Sequence, residues 1–185
     1  MIHYITPFAT DLNIGREYNE RIAELPDDCW VTLRDGDTLF LTPDWGTQIR
    51  DIIEANPDYD IIGCMTNRLA IPQQLVPGMF DESDIGKHIE TAIKLQEYRT
   101  EVFKSNMAAG LCLIFHKSVW QKCKFKENTV IFDRIFCIDA KLKGFNIGIA
   151  KGLYLFHIYR WNKPNPQQYK DHLNPHINGI SGKNS

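Results

Sequence analysis

Tyr59 to Met65, YDIIGCM, is a near-continuous apolar run, and no other stretch restricts the fold of this chain so tightly. A run of that kind is a strand that needs cover on both faces. Helical spacing before it and after it supplies the cover. Asn13 can cap a helix in which Ile14, Tyr18, Ile22 and Leu25 recur on one side until Pro26. Thr42-Pro43 offers an N-cap and a proline at the first helical position, with Trp45, Ile49, Ile52 and Ile53 making one apolar face up to Asn56-Pro57. Strands alternating with such helices predict an α/β fold, a sandwich built on a mainly parallel sheet flanked by helices.

The remaining elements follow the same rhythm. Ile2 to Phe8 reads as an opening strand that stops at Pro7, and Trp30 to Leu33 as a second. Residues 67 to 83 hold two prolines and no period, which predicts a long surface loop. Ser83 or Asp84 can cap a helix to about Phe103 with Ile85, Ile89, Ala92 and Ile93 inward. Leu111 to Phe115 is a third buried strand, and Ser118 a cap for a short helix carrying Val119 and Trp120. From Phe132, Ile135, Ile138 and Leu142 predict an amphipathic helix that Gly144 ends in the left-handed conformation. NIGIA and LYLFHIY are two short strands around Lys151-Gly152. At 185 residues one domain is expected, over 1–162, followed by a polar tail over 163–185 whose last residues are expected to be mobile.

Chemistry concentrates where the second strand ends, in WVTLRDGDTLFLTPD. Asp35 and Asp37 flank Gly36, a spacing at which two carboxylates can hold a divalent cation, although Asp-Gly between apolar stretches equally signals a tight β-hairpin turn. Far downstream come Asp133, at the head of a helix where it serves as a base or merely as an N-cap, and His157, a metal ligand or a histidine satisfied within its strand. Tyr154, Phe156, Tyr159, Arg160, Trp161 and Lys163 gather aromatics with positive charge; Tyr154 and Phe156 suit the core, Arg160 and Trp161 a ligand.

In this order the pieces resemble the GT-A glycosyltransferases, of the family 2 type, which implies a single Rossmann-like domain on a mixed, mainly parallel sheet. ITPF matches the opening strand, NIGREYN the helix after the donor loop, WVTLRDGDTLFLTPDW the D-x-D segment and GLCLIFHKSVW the strand near the acceptor. FDRIFCIDAKLKGFNIGIA with LYLFH resembles the acidic helix, glycine and final strands. The resemblance implies Mn²⁺ or Mg²⁺ held by Asp37, His157 and Asp35, with Asp35 also placed to hold a donor ribose and imidazole favouring Mn²⁺. It implies Asp133 as the base of an inverting transfer, with Asp139 in reserve, and Thr6, Pro7, Arg16, Asn19 and Arg160 near the nucleotide. Two departures stand out: Phe132 replaces the glutamate that usually precedes the base, and the chain runs from Phe8 to Asn13 without the second strand that reads the nucleobase.

The implied substrates are a nucleotide-sugar donor and a saccharide or lipid-linked acceptor. Two other readings fit the residues: a non-catalytic carbohydrate- or nucleotide-binding module on a reduced fold, and a metal-dependent nucleotidyltransferase. A net charge of −2 argues against nucleic acid. No apolar run reaches the length of a membrane span, so a cytoplasmic protein is expected, with peripheral membrane contact compatible through the aromatic and basic end. The five cysteines are scattered without a CxxC spacing, as expected of reduced thiols.

Overall fold

The computed structural model describes residues 1–161 and Lys163; residues 164–185 of the expected tail lie outside the described residues. Seven strands form one open sheet in the order β1-β2-β6-β4-β7-β3, with β5 also on β7. These are β1 (Ile2–Ile5), β2 (Trp30–Arg34), β3 (Thr38–Phe40), β4 (Ile61–Thr66), β5 (Val102–Ser105), β6 (Cys112–His116) and β7 (Ile147–His157). The helices are α1 (Ile14–Ala23), α2 (Trp45–Ala55), α3 (Ile85–Leu95), α4 (Lys117–Lys122) and α5 (Phe132–Leu142). The α/β class and the mixed sheet follow the sequence reading.

The expectation of a mainly parallel sheet is corrected. Only β1 with β2 and β4 with β7 run parallel, whereas β6 runs antiparallel between β2 and β4, and β3 and β5 both run antiparallel to β7. Strands buried on both faces look alike in either direction, so β6 carried no sign of its reversal. Side chains alternate between two cores. Val31, Leu33, Ile61, Leu113 and Phe115 meet α1, α4 and α5, and Ile62, Cys64, Ile114 and Leu155 meet α2. All five cysteines are free and buried.

Several local expectations shift. Asn13 does cap α1, its side chain accepting from the Arg16 amide, and Gly144 does adopt a φ of +87°. The cap of α2 is Asp44, two residues past Thr42, and α4 is capped by the His116 ring, which accepts from Ser118 N. Helix α3 stops at Leu95, and the segment to Ser105 becomes a 3-10 turn and the edge strand β5. Its inward stripe is His88 and Ala92, leaving Ile85, Ile89 and Ile93 exposed, because the buried His88 ring bonds to the Tyr154 hydroxyl at 2.8 Å and fixes the rotation. On α5 the same happens: Phe136, Cys137 and Ala140 face the core while Ile138 and Leu142 face out. Phe136 stacks on Phe125 with centroids 4.3 Å apart, which sets that turn.

The segment 67–83 is pinned at both ends of its course. Buried Gln74 donates to Cys64 O and accepts from Ala109 N, and the Arg68 guanidinium donates to Phe80 O and Tyr159 O. β7 is one strand, not two, but its pairing with β4 jumps between Cys64 and Met65, so that Lys151, Gly152 and Leu153 bulge out of the ladder. No helix among the described residues is long and apolar enough to cross a membrane.

Candidate functional site

Strand β2 ends at Arg34, and the chain turns through Asp35, Gly36 and Asp37 into β3. This is not a hairpin. β2 is paired on both edges by β1 and β6, while β3 pairs with the far end of β7. The turn therefore steps across the sheet, and the register Thr38↔His157 brings the residue after Asp37 opposite the histidine. Ile158 N closes the corner by donating to Asp37 O at 2.9 Å. Thr38 Oγ1 donates to Asp35 O at 2.6 Å and Arg34 to Thr38 O, so the turn is held from within.

His157 Nε2 lies 3.3 Å from Asp37 Oδ2. The other ring nitrogen, Nδ1, lies 2.7 Å from Arg68 O and must donate to it, since a carbonyl can only accept. That bond fixes which nitrogen faces the acid. Buried Asn67 holds the histidine backbone from both sides, accepting from its N–H and donating to its carbonyl. The exposed Tyr159 ring stacks on the imidazole with centroids 5.6 Å apart.

Electrostatics separate the two carboxylates. The bond with His157 holds Asp37 below the ordinary carboxylate range. Burial alone would lower the His157 value, but Asp37, the Arg68 carbonyl and Asp35 together raise it. Asp35 is pushed up to about 6, chiefly by burial and then by the Asp37 charge, with His157 opposing. Among the described residues, no three His, Cys, Asp or Glu side chains form a ready-made ligand group.

Asp133 joins this corner through the residues that lead into β6. Its Oδ2 accepts from Gly110 N at 2.8 Å, and the next residue, Leu111, accepts at its carbonyl from Asp35 N. Consecutive residues thus anchor both acids. Asp133 sits in the first turn of α5 and is not its N-cap, which is Ile131 without a side-chain bond. Asp139 is committed elsewhere, to Lys143 at 2.6 Å.

The other candidates divide. Thr6 lies beside the turn, its methyl 3.8 Å from where a side chain on Gly36 would begin, and Pro7 follows it directly. Arg160 adopts a φ of +56° just beyond β7; burial lowers the Arg68 value, Asp81 opposes it and the Arg160 charge adds a smaller lowering. Arg16 is paired with Asp11 at 2.8 Å on the surface. Asn19 accepts from Trp120 Nε1 and Phe125 N and donates to Phe125 O, which makes it a clamp on the 125–128 loop. Trp161 donates to Ser83 O. Sequence reasoning passed over Asn67 and Arg68. Both directly follow the buried strand β4, which is the one signal that placed them at the sheet's working end.

Fold and site together define an α/β protein with a mixed open sheet whose β2, β3 and β7 ends gather two aspartates and a histidine, with a third aspartate tethered beside them. No protein-family model matches the chain, and no curated protein does.

Proposed function

We propose that the chain is a compact metal-dependent glycosyltransferase of the GT-A type, moving a sugar from a nucleotide donor to an acceptor hydroxyl with inversion. The Asp37–His157 pair carries the reading: residues from opposite ends of the sequence meet at 3.3 Å in the pairing its motif order calls for. The donor set fits Mn²⁺ or Mg²⁺. Asp37 supplies a hard carboxylate oxygen, and the Nδ1 bond to Arg68 O keeps Nε2 of a neutral His157 free to ligate. With Asp35 behind them the protein offers few ligands, leaving room for phosphate and water. When bound, such a cation neutralises the charge that gathers on a departing nucleoside diphosphate.

The chain's own residues do the rest. Asp133 accepts the proton of the acceptor hydroxyl while that oxygen bonds to the anomeric carbon and the bond from that carbon to the donor phosphate breaks. The Gly110 amide holds one of its oxygens, so the carboxylate stays oriented during the transfer. Arg160, three residues past His157, supplies positive charge at the edge of the corner. One observation favours the non-catalytic reading instead: Arg16 and Asn19 are engaged with the protein itself, which thins the grip on a nucleotide. Asp133→Asn separates the two. Donor binding by calorimetry should stay within about twofold, while nucleoside diphosphate release in the presence of acceptor should fall by about a hundredfold or more. Unchanged turnover would make Asp133 a tether only.

A further inference from the structure

Helix α5 is apolar on two opposite sides. Phe136, Cys137 and Ala140 pack into the core, yet Ile138 and Leu142 turn away from it at 51% and 83% exposure, and Val130 and Ile131, just before the helix, stand at 87% and 48%. A helix that is apolar all round belongs in a buried place, and a contiguous exposed apolar patch marks a surface that meets something. The spacing of Ile131, Ile138 and Leu142 keeps them on one side. Cations border this stripe. Arg134 and Lys141, both exposed, line a shallow groove together with Met107, Ile138 and Leu142. At the C-terminal end of the helix Lys143 donates to Lys122 O, which brings Lys122 alongside. The two acids of the helix are engaged: Asp133 accepts from Gly110 N, and Asp139 is paired with Lys143 at 2.6 Å. From Lys117 to Gly144 the chain holds seven basic and three acidic residues, although its net charge over all 185 residues is −2.

Aliphatic tips set among lysine and arginine define the partner. The centre of a protein–protein interface is depleted in lysine, and a nucleic-acid backbone gives aliphatic side chains nothing apolar to enter. A bilayer with anionic headgroups satisfies both parts of the patch. We propose that this outer face of α5 docks on an anionic lipid surface, with Val130, Ile131, Ile138 and Leu142 entering the boundary between headgroups and acyl chains and Lys122, Arg134 and Lys141 meeting the lipid phosphates. The long basic stems lie along the apolar surface while their charged ends stay at headgroup level. At 11 residues α5 lies in the plane of the bilayer and does not cross it. The inference stands apart from the transferase reading, since it uses neither the acidic corner nor a cation.

Sedimentation of the full chain with vesicles tests this. The protein should partition onto vesicles of phosphatidylcholine and phosphatidylserine at about three to one, far less onto phosphatidylcholine alone, and progressively less as salt is added. Ile138→Gln with Leu142→Gln should weaken the partition about tenfold or more, and Arg134→Gln with Lys141→Gln about twentyfold. All four side chains are exposed, so both double variants should melt within about 2 °C of the wild type. Lys94→Gln, on the exposed side of α3, should change the partition by less than about twofold. Equal partition onto neutral and anionic vesicles, no partition onto either, or partition that both double variants leave untouched would overturn the proposal. A loss from Lys94→Gln as large as that from the Arg134 and Lys141 pair would overturn it too, as would a vesicle-free dimer that Ile138→Gln with Leu142→Gln takes apart, because a second copy would then cover the face.

Discussion

Asp35 has to carry a negative charge where burial and the Asp37 charge both resist it, and that strain has a measurable sign. Its proton affinity is raised in the folded chain, to about 6 from an ordinary 3.8. A raised carboxyl favours the fold while protonated, and the advantage is lost as pH rises through about 6. Asp35→Asn should therefore raise the metal-free melting temperature at about pH 7.5 and leave it nearly unchanged at about pH 4, where the wild-type group is already neutral. A lower melting temperature at the higher pH would mean that the ionised form supports the fold. At this scale the sequence was partly legible. Asp37 and His157, singled out by residue type and order, do lie side by side, whereas spacing could not reveal that Asp11 pairs with Arg16 or that the 125–128 loop bonds to Asn19.

β7 is the element on which the site depends. It pairs with β4 along one edge and with β5 and β3 along the other, and His157 is its last residue. The bulge at Lys151 to Leu153 lets one strand serve two registers, and buried Gln48 seals it by donating to Gly152 O and Arg99 O. Gly152 has to be glycine: a Cβ there would sit 2.5 Å from Tyr98 O and 2.8 Å from Arg99 Cα, both backbone. Gly152→Ala should destabilise the protein by about 1–3 kcal/mol, read as a lower urea midpoint. An unchanged midpoint would show that the 3-10 turn over the bulge yields freely. From sequence, Lys151-Gly152 looked like a break between two strands; a glycine within a strand signals a bulge as readily. Caps were more legible than rotations. Asn13, Asp84 and Gly144 act where the sequence put them, while the exposed isoleucines of α3 show that aromatic and histidine contacts across the sheet decide which stripe turns inward.

For the whole molecule, helical period and buried strands made the α/β class readable, but strand direction depends on pairings between distant segments. β6 reverses between β2 and β4, and the two residues just before it, Gly110 and Leu111, tether Asp133 and Asp35. The path from β1 to α1 is short and holds no strand of its own. Under the proposed function, a cation at Asp37 and His157 then has to carry much of the hold on a nucleotide. Calorimetric titration of UDP, GDP and CDP, with and without Mn²⁺, tests that claim most directly. At least one diphosphate should bind only with Mn²⁺, and Asp37→Asn should abolish that binding; no binding of any of the three, or binding untouched by the substitution, would contradict it.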